Sequence, residues 1–331
     1  MRSGACGSIY QVPAVLAPGW CSNILRAAAV RTGERVRVIV DRPLLAEGDQ
    51  MAAAAESSGA EARLLRFPQA RPLLEPTAEL LASSDWADVS IGLLGETWSE
   101  ELPARRAILD RLLAHGGRAI ACDAIDVETL TGELSEPMPD LGPAARELLA
   151  ALDGAREIRV RGAAGTDLVL RVDGRRWLDD ALPLAPGGVA NFPGGEVCVA
   201  PLAEGADGVL VADLTIPWGP ADGLLPEPVT ISFEGGRARS IEGGVAGERL
   251  QQLVKEAGEG ADVIAELGIG LNPALRPRGH VLFDEKAAGT AHVAIGNNTG
   301  PYHGDNWAKL HVDCVFSRPQ LIVDGRSVAL P

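Results

Sequence analysis

Apolar positions along the chain come in two textures. Up to about residue 145, short apolar runs alternate with amphipathic ones. RVRVIVD (35–41), EARLLRF (61–67), ADVSIGLL (87–94) and RAIACD (118–123) read as strands, and AEGDQMAAAAESSG, PTAELLASS and ELPARRAILDRLLAHGG read as helices between them. In the last of these, apolar residues recur near i, i+3 and i+4 and glycines end the run. Such alternation implies a parallel sheet covered by helices. No GxGxxG follows the first strand, so the phosphate-cradling signature of dinucleotide-binding folds is missing. The domain is expected to shape one wall of a cleft. His115, beside two glycines at a helix end, reads as a C-terminal cap.

From about residue 150 the period shortens to two. EIRVRG (157–162), DLVLRVDG (167–174), EVCVAP (196–201) and GVLVADLTI (208–216) are strands separated by Gly, Asp and Pro turns, and VTISFEGGRARSIEGG (229–244) is a hairpin turning at Glu234-Gly235-Gly236. GERLQQLVKEAG (247–258) is the one clear helix, and HVAIG (292–296), KLHVDCVF (309–316) and QLIVDG (320–325) close the chain as strands. The expected fold class is α/β: an N-terminal parallel-sheet α/β domain over 1–147, followed by a β-rich α+β metal-binding domain over 148–331, mostly antiparallel. The stretch 131–147 (TGELSEPMPDLGPAARE) reads as the linker.

Composition narrows the partners. The formal net charge of −15 argues against nucleic acid and anionic membranes, which require basic patches. A small-molecule or peptide substrate is the expected partner. Cys6, Cys21, Cys122, Cys198 and Cys314 are widely spaced with no CxxC, which reads as reduced thiols. With no clean cleavage signature and no run of 18 apolar residues, a cytoplasmic, non-membrane protein is expected.

Candidate chemistry concentrates near the C-terminus. Three of the five histidines, His292, His303 and His311, fall within 289–316, with His280 just upstream. In KLHVDCVF, His311 and Asp313 share one strand face, while Leu310, Val312 and Cys314 take the other. An imidazole and a carboxylate side by side on a strand form half of a divalent-metal site. Glu266 in ADVIAELGIGLNP and Glu196 in FPGGEVCVAP stand inside apolar runs, where a buried carboxylate is costly without a cation. Together with His292, these give five oxygen and nitrogen donors, suited to one or two Zn, Co, Mn or Fe(II) ions.

The order PGGEVCVAP, ELGIGLNP, DEKAAGTAHVAIG and KLHVD resembles the aminopeptidase T (M29) metallo-aminopeptidases over residues 155–331. The resemblance implies Glu196 as a carboxylate able to bridge two metals, Glu266, His292, His311 and Asp313 as the remaining ligands, and a homodimer. It also implies removal of N-terminal residues from peptides, or cleavage of a related small amide, through a metal-bound hydroxide. Where the peptidases carry a catalytic tyrosine this chain has Thr299, and the loop NNTGPYHGDNWA is shorter. Tyr302 is then the candidate oxyanion-stabilising residue and His303 a candidate proton shuttle. Asp284-Glu285-Lys286 matches the family's DEK, with Lys286 able to offset charge near the ligands. A branch with the same fold resembles the 2,5-dihydroxypyridine 5,6-dioxygenases, which open an aromatic ring with one Fe(II) held by two histidines and one carboxylate. That branch is expected to carry a histidine near the position of Glu266. Trp218 or Trp307 would supply aromatic contacts for such a substrate.

Overall fold

Strand β1 (Arg35–Val40) is buried along nearly its whole length, with Val36, Val38 and Val40 on one face and Arg37 and Ile39 on the other, as a central parallel strand between helical layers must be. The structure, a computed structural model, describes residues 17–181, 183–217 and 223–331; Cys6 and Trp218 lie outside the described residues. After α1 (Gly19–Ala27) and β1 come α2 (Leu45–Ser57), β2 (Glu61–Arg66), α3 (Ala78–Trp86), β3 (Val89–Leu94) and α4 (Leu102–Leu113). β1 pairs in parallel with β2 on one side and β3 on the other. Ile39, Leu65, Phe67, Leu80 and Leu94 pack with Ala104 and Ile108 of α4 in one core. Thr77 caps α3, its hydroxyl accepting from the Leu80 amide. His115 does not cap α4: its Nε2 lies 3.1 Å from the Ala87 carbonyl, tying the helix end to the start of β3.

β4 (Arg118–Asp123) takes as a parallel partner a strand from much later in the chain, β8 (Val189–Asn191). Contacts divide the described residues into two compact units, one within 17–26, 30–117 and 123–137, the other within 27–29, 118–122 and 138–331. The stretch read as a linker is largely structured, with α5 (Val127–Thr131), a 3-10 turn over Glu133–Ser135, and α6 (Gly142–Leu152). Pro143 lies in the first turn of α6, where its missing N–H interrupts no helical bond. A proline there marks a helix start, which is why the segment resembled a linker.

The second unit carries two antiparallel sheets. Its strands are β5 (Glu157–Arg161), β6 (Asp167–Arg171), β7 (Trp177–Asp179), β9 (Glu196–Val199), β10 (Ala206–Ala212), β11 (Val229–Glu234), β12 (Arg237–Glu242), β13 (Ile264–Gly270), β14 (Thr290–Gly296), β15 (His311–Ser317), β16 (Gln320–Val323) and β17 (Arg326–Val328). The larger sheet has the order β12-β11-β10-β6-β5-β16-β17 and the smaller β15-β14-β13-β9-β7. Helix α7 (Gly244–Ala257) follows the β11–β12 hairpin, and a single turn, α8 (Val281–Asp284), precedes β14. One apolar core joins the two sheets, drawing Leu168, Leu210 and Ile231 from the larger and Val197, Leu267, Val293 and Cys314 from the smaller. Among the described residues no helix is long and apolar enough to cross a membrane.

Candidate metal centre

The smaller sheet turns one face to that core, and its other face gathers the chemistry. Val197 and Val199 of β9, Leu267 and Ile269 of β13, Ala291, Val293 and Ile295 of β14, and Val312, Cys314 and Phe316 of β15 all join the core. Strand alternation therefore sends Glu196, Cys198, Glu266, Gly268, His292, His311 and Asp313 to the opposite face. Glu266 needs one further device. Ile264, two residues earlier, is in the core, so plain alternation would put both on the same side. A bulge between Ile264 and Glu266, with Ile264 opposite Ile295 and Glu266 opposite Ala294, inserts Ala265 and re-aims the carboxylate.

Small residues make the room. Ala294 stands between Glu266 and Asp313 on the ladder, and Gly268 stands opposite both His292 and Cys198. A Cβ on Gly268 would fall 2.0 Å from His292 Cε1 and 2.4 Å from its Nε2. The imidazole thus lies over bare backbone, and the first glycine of ELGIG is a steric requirement of the site.

The five predicted donors converge. His292 Nε2 faces Glu266 Oε1 at 3.6 Å, Glu196 Oε2 at 3.7 Å and Asp313 Oδ1 at 3.8 Å. His311 Nε2 lies 3.2 Å from Asp313 Oδ1 and 3.3 Å from Glu266 Oε2. On the far side of its ring, His311 Nδ1 donates to the Asn297 carbonyl at 2.7 Å, leaving the Nε2 lone pair of the neutral ring toward the carboxylates. Two donor triads result, Glu196–Glu266–His292 and Glu266–His311–Asp313, with Glu266 common to both. Glu196, which the resemblance implied as the bridge, belongs to only the first of these. A third grouping joins Glu285 to His292 and Asp313.

A divalent cation fits this set. Ligands held about 2.1 Å from one tetrahedral or octahedral ion are themselves roughly 3–3.5 Å apart, and the distances around His311 match that spacing while those around His292 are slightly wider. Glu196 Oε2, on the side facing His292 Nε2, is buried without a hydrogen-bond partner, as is the other ring nitrogen of His292, Nδ1. Such atoms are costly unless something else satisfies them.

Without an ion, protons take up the positive charge. Burial works against His292 ionising, yet Glu266, Glu196 and Asp313 push its pKa up to about 10. His311 is likewise driven well above the usual range, burial being outweighed by Asp313 and Glu266. Burial would raise the Glu266 carboxyl, but the two imidazoles hold it well below the usual carboxylate range. Burial, reinforced by Asp313 and Glu196, pushes Glu285 up to about 8 against the pull of Lys286. Lys286 is fully buried and ion-paired to Glu196 at 2.5 Å, to Asp180 at 3.0 Å and to Glu285 at 3.3 Å. Asp180, at the end of WLDD, carried no sequence signal beyond its charge.

The two candidate catalytic residues part company. The Tyr302 ring stacks on His311 with centroids 4.9 Å apart and planes at 15°. The negative charge of Glu266, then burial, holds its phenol protonated, well above the usual range. His303 is exposed, with φ +57°, and its Nε2 lies 3.3 Å from Arg176 Nη1, outside the donor triads. His280 immediately precedes α8 and packs edge-on against Phe283. Trp307 is exposed in the same loop as Tyr302.

The 2,5-dihydroxypyridine dioxygenase of Pseudomonas putida KT2440 superposes with a TM-score of 0.74 at 20% identity, covering 94% of both chains. Wild-type AmpT of Thermus thermophilus superposes with a TM-score of 0.67 at 18% identity, covering 94% of this chain and 96% of that one. At these identities the likeness concerns the fold. Aminopeptidase AmpS of Bacillus subtilis (strain 168) is 31% identical over 145 residues, 41% of this chain, so the match spans a third (33%) of that relative's length. These relatives bear out the resemblance read from the motifs. The family model described as 2,5-dihydroxypyridine 5,6-dioxygenase, NicX, matches residues 105–330, more than half of the chain and all of the donor cluster, and the chain belongs to that family.

Proposed function

We propose that this protein is a metal-dependent hydrolase that removes an N-terminal residue from a peptide or cleaves a related small amide. Glu196, Glu266, His292, His311 and Asp313 would hold one or two divalent ions. The observation that carries this reading is the pair of donor triads joined through Glu266, in which neither triad contains both histidines. Two adjacent seats sharing a carboxylate suit a pair of ions, as in two-metal hydrolases. Such ions, when bound, supply Lewis acidity and lower the pKa of water at the site. The chain's own residues orient the reaction. Asn297 fixes the His311 ring, and Tyr302, stacked on it, keeps a phenolic proton with which to hydrogen-bond a developing oxyanion. The carboxylate-rich site also provides an acceptor for the α-ammonium of a peptide substrate.

The family match favours a second reading, an Fe(II) ring-cleaving dioxygenase. Metal analysis of anaerobically purified protein separates them when combined with two assays, release of p-nitroaniline from aminoacyl anilides and oxygen uptake with 2,5-dihydroxypyridine. Two equivalents of zinc, cobalt or manganese with anilide cleavage support the hydrolase. One equivalent of iron with stoichiometric oxygen uptake overturns it in favour of the second reading.

A further inference from the structure

Beside the two triads lies a carboxylate cage that already contains a cation. Asp180 follows the end of β7, Glu196 opens β9 and Glu285 follows α8, and their oxygens converge on Lys286 Nζ at 3.0, 2.5 and 3.3 Å. No part of the Lys286 side chain is exposed. Three carboxylates from separate elements meeting at one buried point is an arrangement that holds a hard divalent ion; here the point is filled by an ammonium. Glu196 is divided between two environments. Its Oε1 binds Lys286, while its Oε2, buried and without a hydrogen-bond partner, lies 3.7 Å from His292 Nε2.

We propose that Lys286 is a built-in cation occupying a third seat, Asp180–Glu196–Glu285, which confines exchangeable ions to the two triads and makes Glu196 a one-oxygen ligand. The proposal rests on the reading of Glu196 as a ligand. An exchangeable ion can be stripped by a chelator, whereas a lysine held by the backbone cannot leave. Lys286 therefore offsets part of the cage's negative charge whether or not the triads are filled. Lys286 also fixes the orientation of the Glu196 carboxylate, leaving one oxygen toward His292, so it is a positioning residue, acting through Glu196 rather than touching a substrate.

Equilibrium dialysis of the full chain against Mn2+, with bound metal counted by atomic absorption, tests this. Lys286→Ala should bind one equivalent more than the wild type, and Lys286→Ala combined with Asp180→Asn should lose that extra ion. Lys286→Ala with wild-type stoichiometry and wild-type Kd would overturn the proposal. Should Lys286→Ala not fold, Lys286→Met retains the aliphatic stem and decides the matter. Its Mn2+ Kd, read by electron paramagnetic resonance, should differ from the wild type at least fivefold, and an unchanged Kd refutes the positioning role. A wild type that binds no Mn2+ counts against the proposed function alone, because a gain from none to one in Lys286→Ala still identifies the seat.

Discussion

Each unit of the molecule buries charge, and the two do so in opposite ways. In the first, Arg37 of β1 is 1% exposed and its hydrogen-bond partners among the described residues are neutral: Ser90 Oγ at 2.9 Å, Ser83 Oγ at 3.0 Å, Ser84 Oγ at 2.5 Å and the Leu80 carbonyl at 3.3 Å. Burial pushes its pKa down to about 10, so the guanidinium remains a cation at neutral pH. In the second unit Glu196, Glu266, His292, His311 and Asp313 face one another, and two buried polar atoms among them have no hydrogen-bond partner. The Arg37 guanidinium is matched by hydrogen-bond acceptors, whereas in the cluster Glu196 Oε2 is left for added positive charge to satisfy. A buried polar group that satisfies its neighbours locks a fold, and one that leaves them wanting prepares a binding site.

Removing one member from each site separates the two kinds. His311→Ala should lower divalent-metal affinity by more than about 100-fold, beyond the usual cost of losing an outer-shell partner, and abolish turnover with it. Metal retained at full occupancy in that variant would remove His311 from the ligand set. Arg37→Met should do the reverse, leaving metal content unchanged while urea unfolding shows a loss of about 2–3 kcal/mol, because hydroxyl and carbonyl partners are left buried and unpaired. A loss of metal in Arg37→Met would erase the contrast.

Gly268→Ala probes the space over which His292 lies. Its methyl group would collide with the imidazole, so metal affinity should fall about 10-fold or more, with a smaller change in melting temperature. Full affinity in this variant would show that the ring can shift without penalty. The smallest effect is in protons. The His292 pKa is raised to about 10 in the folded protein, so the ring is protonated at pH 7.5 and must give up its proton to bind a metal. Calorimetric titration in buffers of different ionisation enthalpy should register proton release of about one or more per binding event. Apparent affinity should climb as pH rises toward 10. Binding without proton release would place the ion away from His292.

Much of this was legible in one dimension. His311 and Asp313 share a face by strand alternation alone, and the apolar flanks of Glu196 and Glu266 marked them as costly without a partner. Asp180 was not legible, because nothing in WLDD says that its carboxylate will meet Lys286, more than a hundred residues away, inside the fold. That Glu266 is common to both triads was not legible either, since it depends on the bulge at Ala265. His303 had the same composition signal as its neighbours but sits on a turn that sends it to solvent beside Arg176.

The amino-acid order determined the longer strands and, outside the bulge in β13, which side of each is apolar, because alternation and turn chemistry act within a few residues. Tertiary structure alone decided which donors share an ion, which carboxylate Lys286 compensates, and why position 268 must lack a side chain. Those outcomes depend on register between strands distant in the chain, and a shift of one residue there reverses every face.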